Sequence, residues 1–315
     1  LVPDDATQQE LTTSTTASYN GNVNATISTD TTGIKYYGYV KDDAGQTGKC
    51  EITIKKDSTA PSCQLKATGT KGTNDWFTGT AKVEFNSKTD ATSQIASFDL
   101  TKNSAATFNN KTSDNQTEDT ASQKFYGHVK DNAGNVGKCE ITVKKDTAKP
   151  VCYIEPTGAH SGDWFTADVV VKLETVKTTS DISTYGIKDT SGKEYNNKTS
   201  LDLKNDTPYA GKTYYGYVKS EAGLEGGCTG VVKRDTTAPS KPAITNPSGG
   251  WTNQNFKLTL NSSDSNSGLA KWYYSYTTSS ATSTAGWTEY QNSSGVSPYV
   301  TSEFSQERNQ LVYIK

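Results

Sequence analysis

The sequence predicts an all-β protein laid out as a tandem array of two-sheet β-sandwiches, about 89 residues per repeat. Three observations predict it. The pairs Tyr37-Gly38, Tyr126-Gly127 and Tyr215-Gly216 recur at a fixed spacing of 89 residues, with Cys50, Cys139 and Cys228 each thirteen residues further on. A fixed period of this size marks an array of similar structural units. The 315 residues are only 32% hydrophobic and include no Met, a composition that suits short half-buried strands better than amphipathic helices. Finally, each period reads as roughly seven short strands separated by turn signals, the pattern of two packed antiparallel sheets.

Within a repeat the elements follow in order. Each opens on a short polar stretch closed by Pro: Lys56-Asp57-Ser58-Thr59-Ala60-Pro61, Lys145-Asp146-Thr147-Ala148-Lys149-Pro150 and Arg234-Asp235-Thr236-Thr237-Ala238-Pro239. Pro cannot continue a central ladder, so these read as linkers. A short strand and an aromatic marker come next, Trp76-Phe77, Trp164-Phe165 or Trp251. The alternating apolar runs Val83/Phe85, Val169/Val171/Leu173 and Phe256/Leu258/Leu260 follow. The repeat ends on a hairpin. Tyr36–Lys41 and its copies lead through Asp42-Asp43-Ala44-Gly45, Asp131-Asn132-Ala133-Gly134 or Ser220-Glu221-Ala222-Gly223, residues that favour tight turns. The closing strands, from Cys50, Cys139 and Cys228, alternate with the period of two of a half-buried strand. The predicted domains are 1–57, the back part of a unit, then 58–146, 147–235, and 236–315, which lacks its last strand. The ends read either as a window onto a longer array or as units that accept a strand from a neighbour.

Several function classes are excluded or left without support. The net charge is -2 with no basic run, which argues against nucleic acid and anionic membranes as partners. No apolar stretch approaches the roughly 18 residues of a membrane span and no signal peptide opens the chain, so any export signal or anchor is expected outside this segment. His128 falls in a strand at the position of Tyr39 and Tyr217, and His160 in the turn before Trp164. Neither has a recurring nucleophile or carboxylate companion, and no phosphate loop, nucleophile elbow or His-Glu-x-x-His segment is present. The chain therefore reads as non-enzymatic, and two His at this spacing fit no closed zinc site.

The Asp57–Pro61 and Asp235–Pro239 linkers (D-x-T-A-P), the Val129–Asn135 hairpin (V-K-D-N-A-G-N) and Asp264–Gly268 (D-x-x-S-G) resemble the tandem bacterial immunoglobulin-like domains of secreted and cell-surface proteins and adhesins. The resemblance covers essentially the whole chain; Ser220-Glu221 departs from it. It implies that the first and last strands of a unit run the same way, side by side, so that their starts meet. Cys63 then pairs with Cys139 and Cys152 with Cys228, Cys50 pairs with a residue outside the segment, and copy four has no bridge. The rival scheme joins Cys50 to Cys63 and Cys139 to Cys152. Either scheme of paired thiols implies an oxidising, extracellular location.

The same layout brings acidic residues together where linkers enter: Asp57, Asp90 and Asp131; Asp146, Asp181 and Glu221; Asp235 and Asp264. Such carboxylate groups suit Ca²⁺, the one cofactor the sequence suggests, although Asp and Asn are also ordinary turn residues. Copy four adds Lys271-Trp272-Tyr273-Tyr274-Ser275-Tyr276 with Trp287 and Tyr290. Tyr273 and Trp287 could stack on sugars, while Trp272, Tyr274 and Tyr276 alternate onto one face where this fold buries a Trp. The sequence thus points to an extracellular or bacterial cell-surface stalk, filament or adhesin spacer. Its expected partners are neighbouring repeats or other copies of the array, and surface glycans or proteins. Alternatives are a carbohydrate-binding accessory region and a phage fibre or decoration protein.

Overall fold

A computed structural model describes residues 6–245, 254–277, 288–291, 299–300 and 311–314. The described residues form strands, turns and loops and no helix, as the all-β reading requires. Every sheet draws its strands from a single sequence repeat. The chain divides into two compact units, Leu1–Ala148 with Glu221–Leu224, and Lys149–Ser220 with Glu225–Lys315.

In the first unit, β1 (Ala6–Thr12), β2 (Thr31–Asp42) and β3 (Thr47–Lys56) make one antiparallel sheet. The following repeat comprises β4 (Ser62–Thr68), β5 (Trp76–Phe77), β6 (Ala81–Thr89), β7 (Ile95–Thr101), β8 (Ser113–Gln116), β9 (Thr120–Asp131) and β10 (Val136–Lys145). These build two sheets, β4-β6-β8 and β5-β10-β9-β7. The alternation in sequence becomes a shared core of Phe77, Ala81, Val83, Leu100, Phe125 and Val143, with Leu65, Phe85 and Ile141 packed around it. Each fully buried large side chain contributes about 1.5–3 kcal/mol relative to exposure. The predicted hairpin joins β9 to β10, with Gly134 at φ 98°, a left-handed conformation that glycine adopts without a Cβ penalty.

One expectation is corrected. The first and last strands of the unit do not lie side by side: β4 belongs to the sheet opposite β10, and the strand beside β10 is the short β5, parallel to it with Lys144 facing Trp76. The chain switches sheets between β4 and β5. It leaves β4 through Gly69 (φ 152°), where a Cβ would stand 2.5 Å from the Thr80 carbonyl oxygen, and turns through left-handed Asn74 and Asp75.

The second unit repeats the plan. Its strands are β11 (Val151–Thr157), β12 (His160–Ser161), β13 (Trp164–Phe165), β14 (Val169–Val176), β15 (Ile182–Lys188), β16 (Ser200–Leu203), β17 (Lys212–Ser220) and β18 (Glu225–Arg234). They form the sheets β11-β14-β16 and β12-β13-β18-β17-β15 around Val169, Val171, Leu173, Ile187, Tyr214, Val218 and Val232. In the last repeat β19 (Ala243–Thr245), β20 (Thr259–Asn261) and β23 (Tyr299–Val300) make one sheet. The other consists of β21 (Lys271–Thr277), β22 (Thr288–Gln291) and β24 (Leu311–Ile314). This is the tandem immunoglobulin-like sandwich architecture.

Candidate junction sites

Acidic side chains hold all three linkers on the exit side, and those at 56–61 and 234–239 on the entry side as well. On the entry side, Asp57, Asp90 and Asp131 each place a carboxylate oxygen within 4.8 Å of the others. Local chain geometry accounts for much of this. Asp90 Oδ1 accepts the N–H groups of Thr92, Ser93 and Gln94 at 3.1, 2.8 and 2.7 Å, which folds the loop between β6 and β7 around it. Asp57 accepts the N–H of Thr59 on one oxygen and that of Ser93 on the other, both at 3.0 Å. Asp131 accepts the Asn135 N–H and side-chain amide at 2.8 Å each, closing the β9–β10 turn. The Asn135 amide also donates to the Asp57 carbonyl at 3.2 Å, so the hairpin tip grips the linker. Asp131 is 1% exposed. Burial pushes its carboxyl upward, and the hydrogen bonds from Asn135 outweigh that and hold it below the usual range.

Part of this arrangement recurs in the second unit. Asp235 accepts the N–H of Thr237 at 2.9 Å and of Ser267 at 3.0 Å, and Asp264 Oδ1 accepts those of Asn266 and Gly268 at 2.9 and 3.1 Å. The remaining predicted acids are Asp146, Asp181 and Glu221. Asp146 is buried and accepts the Ala148 N–H at 3.1 Å. Asp181 is exposed and pairs with Lys177 at 2.6 Å within its own turn. Glu221 is half-buried in the β17–β18 turn.

On the exit side stands a clamp that the sequence reading missed. Asp30 accepts Lys56 Nζ at 3.1 Å, the Ser58 N–H at 3.0 Å, the Ser58 hydroxyl at 2.8 Å and the Thr59 hydroxyl at 2.7 Å. Asp119 does the same for the next linker, with Lys145 Nζ at 2.6 Å and the Thr147 N–H and hydroxyl at 3.1 and 2.9 Å. Asp206 repeats it with Arg234 Nη1 at 2.7 Å, the Thr236 N–H at 2.9 Å and the Thr237 hydroxyl at 2.7 Å. Hydrogen bonds led by Thr59 hold the Asp30 carboxyl well below the ordinary range, and those led by Thr237 lower that of Asp206. At Asp119 burial opposes the shift, and Lys145 and Thr147 overcome it. The signal was present as a recurring Asp-Thr dipeptide, Asp30-Thr31, Asp119-Thr120 and Asp206-Thr207, ahead of each basic linker residue.

The cysteines form the intradomain bridges Cys63–Cys139 and Cys152–Cys228, each with Cα atoms 5.6 Å apart and a sequence separation of 76. Because β4 and β10 lie in opposite sheets, each bridge crosses the sandwich. The sulfur fits because it lies over a glycine: a Cβ on Gly127 would stand 2.7 Å from Cys139 Sγ, and one on Gly216 2.5 Å from Cys228 Sγ. Cys50 is exposed and unbridged. His128 is buried edge-on to Phe108, and burial pushes its imidazole pKa down; His160 stacks edge-on with Phe165. Trp287 lies outside the described residues, as does the side chain of Tyr273, whose backbone pairs with Glu289.

No protein-family model matches the sequence, and no curated protein is similar to it. Solved structures offer weak likenesses. The N-terminal four Ig domains of Dscam1 isoform 6.44 are 10% identical with a TM-score of 0.33, over 64% of this chain and 54% of that one. The tetra-tandem repeat in the extending region of a large adhesion protein is 12% identical with a TM-score of 0.28, over 94% and 74%. Fibronectin(III)-like modules of Clostridium thermocellum CbhA are 7% identical with a TM-score of 0.26, over 54% and 95%. The chain spans about half the length of the Dscam1 fragment it matches. What these neighbours bind remains theirs.

Proposed function

We propose that this chain is a non-enzymatic, load-bearing part of an extracellular stalk, filament or adhesin spacer. The observation that carries the reading is the pair of inter-sheet bridges. Force entering at Cys63 crosses to Cys139, follows the chain to Cys152 and crosses again to Cys228, so the rest of each sandwich lies outside the covalent path. Thirteen residues, about 45 Å of extended chain, bear tension per repeat, against about 300 Å for an unbridged repeat pulled straight. The clamps at Asp30, Asp119 and Asp206 fasten the linkers through which that tension passes. Stretching single molecules before and after reduction tests the reading.

Disulfide pairing supports an oxidising compartment, and extracellular exposure is the proposal that follows. A bacterial cell surface is proposed on the linker and hairpin motifs alone. Neighbouring repeats of the same array are the proposed partners. Calcium at Asp57, Asp90 and Asp131 is a further proposal, supported by the three converging carboxylates: millimolar Ca²⁺ is expected to raise the melting temperature by mass action on the folded state. An unchanged transition in calcium and in chelator removes it, leaving a hydrogen-bonded turn. No observation favours the glycan or phage-fibre alternatives over the stalk.

A further inference from the structure

The β1–β3 sheet carries the same face that its counterpart in the next repeat buries, and the counterpart shows what covers it. In the complete repeat the carbonyl of Pro61 lies against Gly137, so close that a Cβ there would meet the carbonyl oxygen at 1.7 Å, and Pro150 stands in the same way on Gly226 at 1.9 Å. Two residues beyond each Pro comes the bridged cysteine, Cys63 or Cys152, and two further on an aliphatic residue, Leu65 or Ile154. Leu65 lies 3.1 Å from a Cβ on Gly127, and Ile154 lies 3.2 Å from one on Gly216. The opening strand is thus read by a Gly-Cys-Gly template. Gly48, Cys50 and Gly38 repeat that template, and a Cβ on Gly38 would stand 2.7 Å from Cys50 Sγ, the same separation as Gly127 from Cys139. The Cys50 thiol is therefore already seated where the bridged sulfurs sit. Around it Ile52 is 57% exposed, and an open groove of about 400 Å³ runs over Gly38, Val40, Gly48 and Cys50, flanked by Leu11 and Val23.

We infer that this face is an acceptor for one β-strand of defined chemistry, an opening strand of the form Pro-x-Cys-x-Leu/Ile, with its cysteine joined to Cys50. The joining step is thiol–disulfide exchange. The Cys50 thiolate attacks a strand cysteine presented as a mixed disulfide with a small thiol. The new S–S bond forms, the old one breaks, and the small thiol leaves with the electron pair and takes the proton Cys50 gave up, so no net oxidant is consumed.

The test uses the 315-residue chain and a peptide copying Ser58–Thr68, its cysteine carried as the mixed disulfide with thionitrobenzoate, whose release is coloured. Seating the strand before exchange raises the local concentration of the reacting sulfurs, so the peptide should react at least about tenfold faster than a scrambled peptide carrying the same cysteine adduct. Mass mapping should place it on Cys50. Gly48→Val should bring the copying peptide down to the rate of the scrambled one, with the reaction of Cys50 with free dithiobis-nitrobenzoate in the same variant as the reference rate. Equal rates for the two peptides, a preference that survives Gly48→Val, or a Cys50–Cys50 dimer as the main product each overturns the inference.

Discussion

The β2–β3 hairpin and the β9–β10 hairpin share a register, and the second is also bridged and covered. Gly38 opposes Cys50 across the first ladder and Gly127 opposes Cys139 across the second. The shared positions meet different environments. Ile54 is 36% exposed while its equivalent Val143 is 1% exposed, and Cys50 is free while Cys139 is bridged. The difference traces to the β4-β6-β8 sheet, which packs onto one hairpin and has no counterpart among the described residues of the other. Within one polypeptide, then, the pairing of the hairpin is specified locally, and burial and the bridge come from the opposing sheet.

The largest effect that would sharpen this contrast is removal of the bridge. A Cys63→Ser/Cys139→Ser double variant should destabilise its repeat by about 4–5 kcal/mol in the chain-entropy model, whereas Cys50→Ser should leave stability unchanged; denaturant midpoints of each variant read the difference. Gly137→Val comes next, since its side chain would collide with the Pro61 carbonyl. A loss of about 3 kcal/mol is expected there and a clearly smaller one at Gly48→Val, whose Cβ would meet only the Val40 side chain, at 3.0 Å. If the two glycine variants melt alike, the template is not what positions the opening strand.

Core truncation is a smaller probe. Val143→Ala should cost about 2 kcal/mol because it opens a cavity, and Ile54→Ala well under half of that. The clamps give the smallest effect, about 1 kcal/mol for Asp119→Ala. They also give a pH signature. The carboxyls of Asp30, Asp119 and Asp206 are held below their ordinary value of 3.8 in the folded chain. Their contribution is therefore complete above that value and is lost as pH falls through it toward the lower folded values. Hydrogen exchange of the linker amides Ser58 and Thr147, corrected for intrinsic rate, should show protection at neutral pH that Asp30→Asn and Asp119→Asn remove.

Much of this fold could be read from the chain, because the period of 89 residues repeats chemistry and not only hydropathy. Tyr-Gly and Cys at fixed offsets set the ladder register, and Asp-Asn-Ala-Gly marks the turn between β9 and β10. The side-by-side placement of first and last strands failed because the crossing depends on the φ angles of Gly69, Asn74 and Asp75, which alternation does not encode. At the junctions, Asp57, Asp90 and Asp131 were visible as turn residues. Asp30, Asp119 and Asp206 were overlooked although each recurs before Thr, since their partners lie 26 to 31 residues away in sequence and meet them only through the folded ladder.

The central claim is that the two bridges take the sandwiches out of the load path, and single-molecule stretching of the oxidised chain tests it most directly. The account predicts that residues 63–139 and 152–228 add almost no length under load until a reductant is present, and that two additional steps then appear, each releasing the loop closed off by a bridge with a sequence separation of 76. Steps of that length in the fully oxidised chain would contradict it.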